Sequence, residues 1–295
     1  MRRALRDVVF IAPLPHCPIA PLPRAQGIIS PMRWLISSVL VLAAAACSGS
    51  STPTTPTNPA PIPASVACAG LGASPGLAIL AGEPCGVATG PVVKMNLKGL
   101  GGGSVGTCTG TLIAPRAVLT AAHCLDGDVA TAQIWFGVTG TNEIVASAIH
   151  FYPGYTFNAP NVFDVGVMLF AEDLGRTPAS ILTSRRATVG ETAIVAGWGR
   201  DENSSTIQLR AGSTRISAVN DNYLETLYAP PSASVCSGDS GGPILVSEGG
   251  RWVVAGITSA TSGVACNTGT NFYQAIFNTN VRNFIRQYVP TVSER

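Results

Sequence analysis

The sequence predicts an all-β protein, and three observations carry that prediction. Only 12% of the 295 residues are charged, which is too few for the polar faces of long amphipathic helices. The chain contains 32 Gly and 22 Pro, which favour turns. Short apolar runs recur between those turns, as they do in β-strands. A composition that is 46% hydrophobic also excludes a disordered chain, and the sequence lacks the Gly-X-Y period of collagen.

The net charge of +2 comes from the N-terminal stretch of the chain. Residues 1–46 hold five Arg and one Asp, and without them thirteen basic and fifteen acidic residues remain. That remainder has no basic run interleaved with aromatic residues, so we expect no nucleic-acid partner. It contains two His and neither an HExxH nor a CxxC pattern, so we expect no metal and no other cofactor.

The first part of the chain has the pattern of a targeting segment. A basic start and an apolar run from Trp34 to Ala46 indicate a secretory signal peptide at residues 32–46, because the run is shorter than a membrane span. Residues 1–31 are Pro-rich and patternless, so we interpret them as a mis-assigned upstream extension, with Met32 as the true start.

The signal peptide ends in three Ala followed by Cys47, which resembles a bacterial lipobox, although Ala44 stands where that pattern has Leu. The resemblance implies a lipid on Cys47 and attachment to the bacterial outer membrane. Cleavage after Ala46, with release of a secreted protein, stays open. Residues 47–65 form a Ser/Thr/Pro-rich tether, as a surface-anchored domain needs, and residues 66–78 resemble a propeptide.

Eight strands and one helix are expected from local patterns. The strands are Val92–Leu97, Thr107–Ile113, Ala117–Thr120, Gln133–Gly137, Val165–Phe170, Thr192–Ala196, Pro243–Val246 and Trp252–Thr258. Their spacing fits a β-barrel or a β-sandwich. The helix is expected at 279–289, because apolar residues recur at i, i+3, i+4 and i+7 from Val281 to Tyr288 and Pro290 follows; we expect it to pack on the second half of the fold.

Four motifs carry the candidate chemistry. They are Thr-Ala-Ala-His123-Cys124, Asp164 before the apolar run Val165–Phe170, Gly-Trp198-Gly, and Cys236-Ser-Gly-Asp-Ser240-Gly-Gly-Pro243. A Ser hydroxyl needs a base within hydrogen-bond reach, and His123 follows an apolar strand beside a Cys that can hold it in place. A carboxylate that enters a buried strand is costly unless it is paired, so Asp164 is the candidate to orient the imidazole.

In this order, the motifs resemble those of the trypsin/chymotrypsin family of serine endopeptidases, and the resemblance covers residues 79–290. It implies a chymotrypsin-like fold of two packed six-stranded antiparallel β-barrels followed by the C-terminal helix. The first barrel is expected at about 79–185 and the second at about 186–277. The catalytic cleft then lies between the barrels.

The resemblance also implies a serine endopeptidase that acts on protein or peptide substrates through an acyl-enzyme, and we expect a monomer. Ser240 is the implied nucleophile, His123 the general base and then acid, and Asp164 the orienting group. The N–H groups of Gly238 and Ser240 are the implied oxyanion hole.

Six Cys remain once those of the leader and the lipobox are set aside, and spacing alone leaves fifteen pairings open. The resemblance implies that one disulfide holds the His loop and another the nucleophile loop. It gives Cys85 a partner near Ala211, where this sequence has no Cys. The implied pairs are Cys108–Cys124 and Cys236–Cys266, which leave Cys68–Cys85.

The segment Ile79-Leu80-Ala81-Gly82 resembles the mature N-terminus of the family, although Ala81 departs from the pattern. The resemblance implies a zymogen that is cleaved before Ile79, so that the new ammonium pairs with Asp239. A plain linker at this place stays open. If Cys68 pairs with Cys85, the propeptide stays attached after cleavage.

The resemblance places the S1 pocket at Ser234, Ser259, Thr261 and Asn271. Ser234 is the implied floor and is neutral, which disfavours Arg or Lys at P1. Side chains at Thr261 and Asn271 shorten the pocket and favour small P1 residues. Ser259 matches a family residue that hydrogen-bonds the carboxylate of the triad.

Two other classes of function stay open. A silent binding protein on the same fold is disfavoured because such relatives usually lose a member of the triad, and none is lost here. A non-peptidase acyl hydrolase needs its Ser on an elbow between a strand and a helix, whereas Ser240 is followed by Pro243 and an expected strand.

Overall fold

The computed structural model describes Cys68 and residues 83–85, 90–136, 143–156, 163–200, 208–263 and 265–295. These residues form fourteen β-strands, β1 to β14 in chain order, a 3₁₀-helix at Ala122–Cys124 and an α-helix, α1, at Thr279–Tyr288. No helix in this part of the chain is long and apolar enough to cross a bilayer. The predicted signal peptide, Cys47 and the tether lie outside the described residues.

The first sheet is a curled sheet of seven antiparallel strands. In space their order is β6-β5-β2-β3-β4-β8-β7. The edge strands β6 and β7 are separated along the chain by only Ala146 and Ser147, and the described residues show no hydrogen-bonded ladder between them. The strands are β2 (Val92–Gly99), β3 (Ser104–Ala114), β4 (Ala117–Thr120), β5 (Val129–Trp135), β6 (Ile144–Val145), β7 (Ala148–Phe151) and β8 (Gly166–Leu169).

The second sheet closes into a six-stranded barrel in the order β9-β10-β11-β14-β13-β12, because β9 pairs with both β10 and β12. The short strand β1 (Glu83–Pro84) adds to β10 although it precedes the first sheet in the chain, so the predicted barrel boundary at residue 79 does not mark the start of the first sheet. The barrel strands are β9 (Thr192–Gly197), β10 (Arg210–Val219), β11 (Tyr223–Leu227), β12 (Pro243–Glu248), β13 (Arg251–Thr261) and β14 (Thr270–Ala275).

The all-β prediction is confirmed, with one refinement. The second half of the fold is the closed six-stranded barrel that was predicted, whereas the first half is a curled half-barrel. The reason is that, among the described residues, β6 pairs only with β5 and β7 only with β8. The two edge strands of the sheet are therefore not hydrogen-bonded to each other, and the sheet stays open.

An apolar core joins the two sheets. The main cluster contains Met95 and Leu112 from the first sheet and Ile257 from the second, together with Trp198, and each is at most 2% exposed. Full burial of one such side chain stabilises the fold by about 1.5–3 kcal/mol. This shared core fixes the two sheets against each other, which positions the groups at their junction.

Helix α1 begins at an N-cap, where the Asn278 side chain accepts a hydrogen bond from the Asn280 N–H at 2.9 Å. It ends at Tyr288, one residue before the predicted end. Its ring contacts are with β7 and the residue that follows β7, in the first half of the fold, and not with the second barrel as expected. Tyr288 stacks on His150 with ring centroids 4.0 Å apart, and Phe284 contacts Tyr152 at 5.9 Å.

Candidate active site

The pairing of β4 with β8 brings His123 and Asp164 together. Thr120 lies opposite Gly166, and the 3₁₀-helix that follows β4 places the imidazole against Asp164, two residues before β8. The His123 Nδ1 lies 2.8 Å from Asp164 Oδ2, and the His123 backbone N–H donates to Oδ1 at 3.0 Å. A carboxylate only accepts in this geometry, so Nδ1 carries the proton and Nε2 is left as the basic nitrogen.

Asp164 is buried, with 2% of its surface exposed, and the second barrel completes its contacts. The Ser259 hydroxyl donates to Oδ2 at 2.6 Å, as the sequence predicted. The Gln274 Oε1 accepts the Asp164 backbone N–H at 2.9 Å, while the Gln274 Nε2 donates to the Asn222 carbonyl at 2.8 Å. A buried carboxylate is tolerated when such hydrogen bonds replace water, so the two halves of the fold jointly hold this group.

Two tyrosines lie within the electrostatic influence of Asp164. Burial raises the pKa of Tyr155 and of Tyr223, and the Asp164 carboxylate raises both further. Both phenols therefore stay neutral at physiological pH and add no second negative charge beside the imidazole.

Ser240 lies in a tight turn between Cys236 and β12. The turn is closed by the Asp239 N–H to the Cys236 carbonyl at 3.0 Å and the Gly242 N–H to the Asp239 carbonyl at 2.9 Å. Gly241 has φ +81°, and a Cβ there would lie 2.1 Å from Thr120 Oγ1. Only glycine lets the turn approach the first sheet so closely.

Backbone and disulfide contacts bring Ser240 and His123 to the same edge of the first sheet. The Thr109 N–H donates to the Ser240 carbonyl at 2.8 Å. The neighbour of Thr109 in β3 is Cys108, which is disulfide-bonded to Cys124, the residue after His123. The structure thus places the hydroxyl-bearing turn beside the imidazole–carboxylate pair.

The turn carries two backbone N–H groups for which the described residues offer no acceptor. Within the described ranges, neither the Gly238 N–H nor the Ser240 N–H has a protein acceptor, whereas the N–H groups of Asp239, Gly241 and Gly242 all do. Gly238 has φ +98°, a conformation that glycine adopts readily. Two oriented N–H groups beside a hydroxyl suit a developing negative charge on a substrate oxygen.

Asp239 is buried between the turn and the Gly-Trp198-Gly motif. Its Oδ1 accepts the Gly199 N–H and its Oδ2 accepts the Cys236 N–H, each at 2.8 Å. Burial raises the pKa of Asp239 to about 6, although these two hydrogen bonds and the charge of Arg210 lower it. Its predicted partner, Ile79, lies outside the described residues.

A cavity of about 150 Å³ opens beside Ser240 and contains two of the four predicted S1 residues, Ser259 and Thr261. Its lining residues are Val235, Cys236, Ser237, Ser240, Thr258, Ser259, Ala260 and Thr261. The other two predicted residues, Ser234 and Asn271, are not part of its wall.

Ser234 and Asn271 are fully buried and hydrogen-bonded to each other. The Ser234 hydroxyl donates to the Cys266 carbonyl at 2.7 Å, and the Asn271 amide donates to Ser234 Oγ at 3.1 Å and to Thr226 Oγ1 at 3.3 Å. These polar groups therefore have hydrogen-bond partners in the barrel interior, and neither residue is among those that line the cavity.

The structure contains the three disulfides that the resemblance implies. A cross-link that closes a loop of about 15 residues stabilises a fold by about 3 kcal/mol. The first two hold the loops that carry His123 and Ser240, while the third joins the described residue of the propeptide-like segment to the residue that follows β1. They are Cys108–Cys124, Cys236–Cys266 and Cys68–Cys85.

Sequence reasoning missed two residues of this site, Thr109 and Gln274. Gln274 is fully buried in β14, and a lone amide between aromatic and apolar neighbours was the only signal for it. Thr109 is also fully buried, and nothing in its surroundings along the chain distinguishes it from an ordinary strand threonine.

Comparisons with known proteins agree with this geometry. The family model described as Trypsin matches residues 81–285. The human atrial natriuretic peptide-converting enzyme is 28% identical to this chain over a match that covers 52% of the chain. The same match covers only 17% of the human protein. A chymotrypsin from Phaedon cochleariae is 30% identical over 56% of this chain and 67% of its own length. A glutamyl endopeptidase from Bacillus licheniformis is 29% identical over 61% of each protein.

Among solved structures, that of HL collagenase superimposes with a TM-score of 0.62 and 19% identity, covering 72% of this chain and 99% of the collagenase. At this identity the likeness concerns the fold alone. It shows that the curled sheet, the closed barrel and the C-terminal helix together form a chymotrypsin-like fold.

Proposed function

The chain belongs to the trypsin family of serine proteases, and on that premise we propose that it is a serine endopeptidase that cleaves protein or peptide substrates. The observation that carries the proposal is the His123–Asp164 pair, joined at 2.8 Å beside the turn that presents Ser240. The proposed chemistry needs no metal or other cofactor.

In the proposed acylation step, Ser240 Oγ attacks the scissile carbonyl carbon while its proton moves to His123 Nε2. Asp164 accepts the Nδ1–H and stabilises the imidazolium that forms. The N–H groups of Gly238 and Ser240 bind the oxyanion, and such a donor is worth about 3–4 kcal/mol in the transition state. His123 then protonates the leaving amine, and a water molecule repeats the sequence to release the acid and restore the Ser240 hydroxyl.

We further propose that the enzyme is made as a zymogen and is activated by cleavage before Ile79. Support comes from Asp239, a buried carboxylate that accepts only backbone N–H bonds among the described hydrogen bonds. An ammonium delivered beside it favours the ionised form and so orders the turn on either side. The Cys68–Cys85 disulfide keeps the propeptide attached to the mature enzyme.

For substrate selection, we propose a neutral S1 pocket that accepts small P1 residues. Its volume of about 150 Å³ and the lack of Asp or Glu among its lining residues support this proposal. We propose that the buried Asn271, whose amide donates to Ser234 Oγ at 3.1 Å, limits the depth of this pocket and so disfavours an aromatic side chain, Arg or Lys at P1.

We propose an exported protein that works as a monomer outside the cytoplasm, as a lipoprotein anchored through Cys47 or as a secreted enzyme. Three disulfides support an oxidising compartment, because cytosolic thiols are kept reduced. The residues of the signal peptide and the tether lie outside the described part of the chain.

A fluorophosphonate probe tests the proposed activity, because it phosphonylates only an activated serine. The exported chain is treated before and after cleavage at Ile79, and the labelled residue is located by mass spectrometry. We expect labelling of the wild type and of Ser217→Ala, an exposed-serine control in β10, and none of Ser240→Ala. New N-termini in a casein digest then show that the labelled protein cleaves peptide bonds, which distinguishes it from other acyl hydrolases. An activated wild type that neither labels nor cleaves casein contradicts the proposal and favours a silent binding protein.

A further inference from the structure

Thr109 connects the first sheet to the turn that carries both oxyanion donors. Its N–H donates to the Ser240 carbonyl at 2.8 Å, and its hydroxyl donates to the Gly238 carbonyl at 2.8 Å. The Trp198 N–H donates to the same hydroxyl oxygen at 3.0 Å. Since Trp198 already supplies one proton to this oxygen, the hydroxyl's own proton is directed at Gly238.

These contacts fix the backbone on both sides of Asp239. Peptide groups are planar, so a hydrogen bond to the Gly238 carbonyl sets the plane of the Gly238–Asp239 peptide, and the bond from the Thr109 N–H sets the plane after Ser240. Gly238 has φ +98° and, being glycine, no side chain to restrict rotation of its own backbone. The Thr109 hydroxyl supplies the restriction that glycine lacks.

Water has no access to replace this hydroxyl. Thr109 is fully buried, and its methyl packs so closely on the turn that a Cβ at Gly242 would lie 3.0 Å from it. If the hydroxyl is removed, the Trp198 N–H and the Gly238 carbonyl both lose a buried partner. We then expect the turn to rotate so that the Gly238 carbonyl finds another hydrogen-bond donor.

We propose that Thr109 is a positioning residue for the oxyanion hole, which holds the turn that carries the Gly238 and Ser240 N–H groups in place from the side of the first sheet. This inference rests on the proposed function. Thr109 contacts the turn at the Gly238 and Ser240 carbonyls and not at the Asp239 carboxylate, so we expect its contribution both before and after cleavage at Ile79.

The variant Thr109→Val keeps the branched shape and removes only the hydroxyl. We expect kcat to fall about 10–100-fold while KM stays within about threefold, because the oxyanion hole acts mainly in the transition state. The affinity for a peptide boronic acid, whose tetrahedral adduct occupies the same hole, falls by a similar factor. Thr109→Ser restores the hydroxyl and is expected to keep kcat within about threefold of wild type.

Thr214→Val is the matched control. Thr214 is also buried in a strand, and its hydroxyl has no hydrogen-bond partner in the described part of the chain, so its loss leaves kcat unchanged. If Thr109→Val does not fold, the pair Thr109→Ser and Thr109→Ala carries the test, since the two differ only in the hydroxyl oxygen. The substrate is any peptide that the activated wild type cleaves.

Wild-type kcat in Thr109→Val, or equal kcat in the Ser and Ala variants, overturns the proposal. So does a fall in kcat that Thr109→Ser does not rescue although its melting temperature matches wild type. A wild type that cleaves no peptide is a failure of the proposed function and is recognised before any variant is measured. The two failures are therefore distinguishable.

Discussion

The buried carboxylate of Asp239 predicts how the stability of the uncleaved chain depends on pH. Burial raises its pKa from the ordinary 3.8 to about 6, against the effect of its two backbone hydrogen bonds and of Arg210. The folded state therefore holds this proton more tightly than the unfolded state does. The resulting stabilisation is fully present below about pH 4 and is lost as the pH rises through about 6.

The magnitude follows from the shift in pKa. A shift from 3.8 to about 6 corresponds to about 3 kcal/mol of unfolding free energy between the acid and the neutral plateau. Asp239→Asn cannot ionise, so this part of the pH dependence is absent from that variant. In the proposed activation, cleavage before Ile79 brings an ammonium to Asp239 and lowers its pKa, so we expect the loss at neutral pH to disappear in the activated protein.

Urea unfolding between pH 4 and pH 7 measures this contribution. The uncleaved chain carries Ser240→Ala in every sample to prevent self-digestion, and Asp128→Asn, an exposed position, is the control. We expect the free energy of the wild type to fall by about 2–2.5 kcal/mol more than that of Asp239→Asn across this range, because pH 4 lies just above the ordinary pKa of the carboxyl group. Parallel curves for the two proteins, within about 0.5 kcal/mol, refute the reasoning.

Three further predictions concern the pocket, the triad and the propeptide. Asn271→Gly removes the amide behind the cavity, so we expect the preference for Phe over Ala at P1 to rise at least about tenfold in a peptide library; an unchanged profile places the pocket floor elsewhere. Gln274→Leu leaves the Asp164 N–H buried without an acceptor and is expected to cost about 1–3 kcal/mol in urea unfolding, whereas wild-type stability shows that the contact is dispensable. After cleavage before Ile79, intact mass spectrometry is expected to find the propeptide attached until reduction, and to find it already lost in the double variant Cys68→Ser/Cys85→Ser; loss from the unreduced wild type contradicts the Cys68–Cys85 link.

The sequence predicted the residues that carry chemistry better than it predicted the strands around them. His123, Asp164 and Ser240 lie in motifs whose residue types and offsets are set by the reaction. Such motifs are recognised even where the overall sequence identity is low. The strands that were missed include β10 and β14. They contain polar residues such as Thr214 and Gln274, which the barrel interior buries, so their local pattern does not alternate as a half-exposed strand should.

Apart from the Ser259–Asp164 hydrogen bond, which the resemblance implied, the contacts between the two halves of the fold were beyond prediction for a related reason. Thr109 meets Gly238 across 129 positions of sequence, and Gln274 meets Asp164 across 110. Such contacts depend on how closely two sheets approach each other, and the local periodicity of apolar residues does not encode that distance. The same holds for Asn271, which the resemblance placed in the wall of the pocket and which is fully buried, with its amide donating to Ser234 and Thr226.

The proposed mechanism requires His123, Ser240 and the two N–H donors to converge at one point. A crystal structure of the activated enzyme with a peptide boronic acid tests this directly. We expect boron bonded to Ser240 Oγ, one boronate oxygen about 2.7–3.1 Å from both the Gly238 and the Ser240 nitrogens, and His123 Nε2 within hydrogen-bond reach of the adduct. A boronate bonded to another residue, or bonded to Ser240 with its oxygen remote from both nitrogens, contradicts this mechanism.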